Sequence, residues 1–131
     1  MNDRYLFRAK HSLESKKWHI GNLVEEPDGL YLRDNKNNIM VYIQDPSTIC
    51  QCTGLKDKNG KLIWENDIVG FWDTYSTENG HAEMYCIGKV VWDDETISFQ
   101  VTNRLSAESY EVLDECSVIG NIFDNPELMH E

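Results

Sequence analysis

The chain has 131 residues, 40% of them hydrophobic, with 12 Lys/Arg against 23 Asp/Glu and a formal net charge of −11. That length suits one domain with its own core, and the composition is neither disordered nor collagen-like. No stretch reaches the ~20 apolar residues of a membrane-spanning helix, and an acidic surface repels phosphate backbones and anionic lipid, so neither membrane nor nucleic acid is an expected direct partner.

The charge is unevenly spread. Residues 1–61 hold 10 Lys/Arg and 8 Asp/Glu, whereas residues 62–131 hold only Lys89 and Arg104 against 15 Asp/Glu, a net of −13. A run of carboxylates is usually a solvated surface, and otherwise a docking face for a basic partner. The opening MNDRYLFRAKHS mixes charged and apolar residues and lacks the apolar stretch of a secretory signal, so the cytoplasm is the expected address. Cys50, Cys52, Cys86 and Cys116 are accordingly expected as reduced thiols.

In chain order, Tyr5, Phe7 and Ala9 alternate with Leu6, Arg8 and Lys10, the period of a half-buried strand. A strand follows over Trp18 to Val24, then a turn at Pro27-Asp28-Gly29 with glycine at the position needing positive φ, then Leu30 to Arg33. Asp34 to Asn38 reads as a loop tip, Ile39 to Ile43 as a strand, Asp45 to Thr48 as a turn, and Ile49 to Thr53 as a strand. Asn59-Gly60 is the preferred pair for a tight hairpin with positive φ at both central positions. Ile68 to Trp72 is the next strand, residues 73–83 read as a polar loop, and Met84 to Trp92 pairs with Ile97 to Thr102 across Asp93–Thr96. Residues 106–115 fit helix or loop, and Ser117 to Phe123 closes the strands. Asn125 as cap, Pro126 in the first turn and Glu127 at the positive dipole end predict a short C-terminal helix.

Short strands with close turns predict a mainly β, antiparallel fold. Residues 1–52 are expected to form a hairpin layer packed on a small SH3-like barrel over 53–131, the whole being one domain.

No chemistry emerges from spacing. Cys50 and Cys52 lack the second close pair of a zinc site, and on a strand they share a face as two small core residues would. An EF-hand loop starting at Asp57 would need glycine and glutamate where Leu62 and Ile68 stand. His81 with Asp73, Glu78 and Glu83 is the best-placed group for a weak cation site, although loops carry such residues without metal. His11, His19 and His130 have no nucleophile partner, and Asp93-Asp94-Glu95 occupy a turn, where nothing shifts a pKa toward general acid or base work. Neither catalytic residues nor a metal or cofactor is expected. Trp18, Trp64, Trp72 and Trp92 fall on predicted strands and are expected in the core, since base-stacking platforms come with basic grooves.

QCTGLKDKNGKLIWENDIV (51–69) is similar to the signature of the YopX family, which occurs mostly in phages and prophages. The resemblance extends to FRAKHSLESKKWHIGNLV (7–24), GKVVW (88–92) and VIGNIFDNPELM (118–129), in the family's order. Asn66 stands where the family usually has glycine, so a positive φ is expected there, and Cys52 replaces a usual aromatic, which marks a packing position. In physical terms the motif reads as turns at Gly54, Asn59-Gly60 and Asp67, with Leu55, Ile63, Trp64, Ile68 and Val69 as core. The resemblance implies a phage origin, a largely β fold and self-association, and no reaction, cofactor or catalytic residue. The expected function is a non-enzymatic accessory protein that binds itself as a homo-oligomer, or a host or phage protein. The alternative is an acidic decoy that imitates nucleic-acid phosphates and occupies a host DNA-binding protein.

Overall fold

A computed structural model describes residues 5–106, 108–112 and 115–130. The chain divides into two compact units, Met1–Gly54 and Leu55–Glu131. The architecture is mainly β, in antiparallel sheets, and the only helical pieces among the described residues are 3-10 turns.

The first unit contains β1 (Phe7–Lys10), β2 (Trp18–Glu26), β3 (Gly29–Asp34), β4 (Ile39–Tyr42) and the start of β5 (Cys50–Lys56), in the sheet order β4-β3-β2-β1-β5. Pro27-Asp28 form the two-residue turn, with Gly29 at φ 147 opposite Glu26. β2 serves two partners, β1 through Trp18–Gly21 and β3 from Asn22 onward. The handover falls at Gly21, where a Cβ would run into the Arg33 carbonyl. Ala9, Leu32 and Ile43 form the core, with Phe7, Val41 and Ile49 against it. The chain closes over this core as Gln44 N–H donates to the His11 carbonyl and the His11 ring bonds the Tyr42 carbonyl.

The alternation in β1 predicts Arg8 and Lys10 in solvent, yet both are buried. Trp18 accounts for this. Its ring centroid lies 4.6 Å from Arg8 Cζ and 5.2 Å from Lys10 Nζ, so an aromatic face replaces water around two cations whose stems pack beneath it.

β5 runs past Gly54 and its last residues form a hairpin with β6 (Leu62–Trp64) in the second unit. Only Gly60 takes positive φ (80) in this turn, and Asn59 does not. Gly60 N–H donates to the Asp57 carbonyl and Asp57 N–H to the Lys61 carbonyl, so the connection is a three-residue loop with glycine at its left-handed position. The cause is Asp57, whose carboxylate accepts from the N–H groups of Asn59 and Lys61 and favours the longer loop.

The remaining strands are β7 (Asp67–Thr77), β8 (Gly80–Asp93), β9 (Ser98–Asn103), β10 (Ser109–Glu111) and β11 (Ser117–Asn121), in the order β10-β9-β8-β7-β11. Among the described residues no ladder joins β10 to β11, so the sheet is open and the expected SH3-like barrel is not formed. The expected C-terminal helix is a 3-10 turn over Pro126–Met129. Asn125 does not cap it, because its Oδ1 accepts from Asn121 N–H instead. Within residues 106–115, open between helix and loop in sequence, Ser109–Glu111 form β10, and 107, 113 and 114 lie outside the described residues. Ile63, Val69, Val90, Val101 and Cys116 form the core of this unit, flanked by Phe71, Phe99, Tyr110, Val112 and Val118. Leu55, expected in the core, is exposed.

Candidate functional site

The stretch expected to be a polar loop at 73–83 is the far end of the longest hairpin in the protein. β7 and β8 stay paired from Ile68↔Lys89 to Thr77↔Gly80, so only Glu78 and Asn79 turn. β11 accompanies β7 no further than Gly70, and β9 accompanies β8 only from Gly88. Beyond those points Phe71–Thr77 and Gly80–Cys86 form a two-stranded arm of roughly 23 Å at ~3.3 Å per residue. Among the described residues no backbone hydrogen bond reaches the outer edge of either strand there.

Register sorts the arm's side chains onto two faces. Val69 and Phe71 pack on the core, which sends Trp72 to the opposite face, and Trp72 is 63% exposed. Tyr85 lies directly across from it, with ring centroids 5.2 Å apart at an interplanar angle of 63°. Tyr85 also lies over Gly70, where a Cβ would strike its hydroxyl. Tyr75 and Met84 are exposed on the other face. The core expectation for the tryptophans therefore holds for Trp64 and fails for Trp72 and Trp92, which stand on the surface, while Trp18 is half-buried. Trp92 instead packs edge-on against Phe99 and donates its ring N–H to Asp94 at 2.8 Å.

At the root of the arm lies a narrow cleft of about 90 Å³. Phe71, Val101 and Tyr110 provide apolar wall, the Asp73 carboxylate reaches in beside the Tyr110 hydroxyl, and Glu111 and Glu115 are at its border. The Tyr110 hydroxyl donates to Glu108 at 2.8 Å and lies 3.4 Å from Asp73. Its hydrogen bond to Glu108, reinforced by burial, pushes its pKa up to about 12, so the phenol is a neutral donor throughout the physiological range. Burial, with Asp73 nearby, also pushes the Cys86 thiol up, which disfavours the reactive thiolate. No Lys or Arg occurs between Lys61 and Lys89 in the sequence. The arrangement favours a cation.

The other sequence candidates are not brought together. His81 pairs across from Ser76, Glu83 from Thr74 and Asp73 from Met84, which strings them along the arm and over both its faces. Among the described residues no three His, Cys, Asp or Glu side chains gather as a metal site. Cys50, Cys52, Cys86 and Cys116 are buried free thiols, and Cys50 donates weakly to the Thr48 carbonyl. A wider, more open hollow of about 420 Å³ lies in the first unit, lined by Trp18, His19 and the Asp34–Asn37 turn together with Lys17. Burial, and then Lys17, hold the His19 imidazole below its ordinary pKa. The Asp34 carboxylate there is occupied by Asn37 and Lys36. No helix among the described residues is long and apolar enough to cross a membrane.

The residues of the 51–69 motif cluster in one structural device. Asp57 is buried and accepts three backbone N–H groups, from Asn59, Lys61 and, across the fold, Val118. Asn66 has φ 70, Asp67 accepts from Trp64 N–H, and Ile122 N–H donates to the Asn66 carbonyl. A protein-family model described as "YopX protein" matches residues 6–130. The chain belongs to the YopX family. The YopX signature is thus a folding device that locks the β5–β6 hairpin to β11, and the cleft lies outside its two longest runs. Cys52, expected as a packing position, is fully buried. No curated protein matches the chain.

Proposed function

We propose that this chain is a phage or prophage accessory protein, acting in the cytoplasm by binding other proteins and without catalysis. One observation carries the reading. Residues 1–54 hold 7 Lys/Arg and 7 Asp/Glu, whereas residues 55–131 hold 5 against 16, so the whole net charge of −11 belongs to the second unit, which also presents the exposed aromatic arm. Exposed aromatics beside carboxylates on a two-stranded ribbon with open outer edges are the ingredients of a protein-recognition surface.

The same division supports a homo-oligomer built on the first unit. Two copies meet at least electrostatic cost where the net charge is zero, and Ile39, Met40 and Tyr42 of β4 are exposed there. His11 already occupies the Tyr42 carbonyl, so contact would be through side chains and not by strand addition. Light scattering at tens of micromolar is expected to show an oligomer that Met40→Lys converts to monomer. A strict monomer for the unaltered chain would remove this part of the proposal. The carboxylates of the second unit lie on both faces of the arm, at its tip and at the β8–β9 turn, whereas a phosphate mimic needs them in line on one face, so the decoy reading gains no support.

A further inference from the structure

We infer that the cleft beside β7 receives the lysine or arginine side chain of an extended partner segment lying along the open edge of Phe71–Thr77. The inference rests on the protein-binding reading above and adds the chemistry of the partner.

Three independent features converge on it. The cleft is narrow, with Phe71, Val101 and Tyr110 as wall and the Asp73 carboxylate beside the Tyr110 hydroxyl at its polar end. An aliphatic stem ending in a cation matches that sequence of surfaces, since Lys and Arg bury their methylenes while the charge stays at a polar rim. The second feature is the electrostatic setting. The Glu108 and Asp73 carboxylates meet at the Tyr110 hydroxyl, Glu111 and Glu115 add charge at the border, and the chain supplies no Lys or Arg from residue 62 to residue 88. A second copy offers either another strongly acidic unit or one of zero net charge, and a nucleic acid would bring phosphates, so both fit the slot less well than a basic segment.

The third feature is the strand edge. β11 stops alongside Gly70, and Phe71–Thr77, paired with β8 on one side, continue with no strand among the described residues on their outer edge next to the slot. An added strand gains affinity from main-chain hydrogen bonds and specificity from alternate side chains. With a period of two, one set of partner side chains falls on the face of Phe71 and Asp73, toward the slot. The other set falls on the face of Trp72 and Tyr85, whose rings suit apolar or cationic groups.

Fluorescence anisotropy of the full chain with a labelled peptide of alternating lysine and valine tests the inference. Asp73→Asn/Glu115→Gln removes two charges at the slot, and Glu95→Gln/Glu127→Gln removes two exposed charges elsewhere. The slot double variant should weaken binding about tenfold or more and the other about twofold or less. Trp72→Ala should weaken it as well. The same peptide N-methylated at every backbone nitrogen, unable to donate along the edge, should lose most of its affinity. Equal weakening by the two double variants would overturn the slot while leaving an acidic protein-binding surface standing. Undiminished binding of the N-methylated peptide would overturn the strand addition. If neither peptide binds the unaltered chain, the inference falls, and the broader reading falls with it only if that chain also captures no protein from induced cells.

Discussion

Asp57 shows how much one side chain can hold. Burial by itself would push its pKa up, but the N–H groups of Val118, Lys61 and Asn59 outweigh it and keep the carboxyl below its ordinary value. A carboxyl depressed by folding stabilises the native state fully above its unfolded pKa of ~3.9, and that contribution is lost as pH falls through the folded value. Asp57→Ala leaves three N–H groups without their acceptor and should destabilise the protein by about 2–4 kcal/mol at neutral pH. Urea unfolding of the two proteins measures this, and the gap should narrow below about pH 4 as the native carboxylate is protonated. A neighbouring position was readable in advance: Asn66 takes the positive φ expected of a residue replacing glycine. The loop at 57–61 was only partly readable. Asn-Gly signals a turn, but the choice between a two- and a three-residue loop was made by the Asp57 carboxylate and its cross-fold bond to Val118, and no local pattern reports that. Ile97, a β-branched residue at φ 53 beside the β8–β9 turn, gave no warning either.

At the scale of elements, most strands were legible because one face of each meets a core, and the period of two survives in sequence. The arm was not. A ribbon wet on both faces has no reason to alternate, so DTYSTENGHAE reads as loop although it is paired through to Thr77↔Gly80. Assigning all four tryptophans to the core failed for a related reason. Strand propensity says nothing about face, whereas register does, and Val69 and Phe71 inside require Trp72 outside. Two glycines of this hairpin separate packing against backbone from packing against a side chain. A Cβ at Gly88 would lie 2.5 Å from the Thr102 carbonyl oxygen and 2.7 Å from Val101 Cγ1, in the middle of the β8–β9 ladder. At Gly70 the obstacle is the tip of the Tyr85 side chain, which can swing away. Gly88→Ala should therefore lower stability by about 2–3 kcal/mol, and Gly70→Ala by about 1 kcal/mol or less. Thermal unfolding ranks the two, and the reverse order would show that the Trp72–Tyr85 stack, and not the ladder, holds the hairpin.

At the scale of the whole molecule, the mainly β class and the family were readable, and the closed barrel was not realised. Counting strands fixes how much sheet there is, but closure depends on whether the end strands β10 and β11 find each other, a long-range pairing that short segments do not encode. The imbalance of charge was readable from composition, and the structure brings part of it, Asp73 and Glu108 at the Tyr110 hydroxyl, to a cleft beside an open strand edge. The cleft itself was hidden because Asp73, Tyr110, Glu111 and Glu115 come from three separate parts of the fold. The central claim is that this surface recognises a basic, extended protein segment. Backbone amide chemical shifts of the full chain, followed by NMR as the lysine–valine peptide is added, test it most directly. The account predicts the largest changes along Phe71–Thr77 and at Tyr110, Glu111 and Cys116. Changes confined to Asp93–Glu95, or spread evenly over every acidic residue, would contradict it.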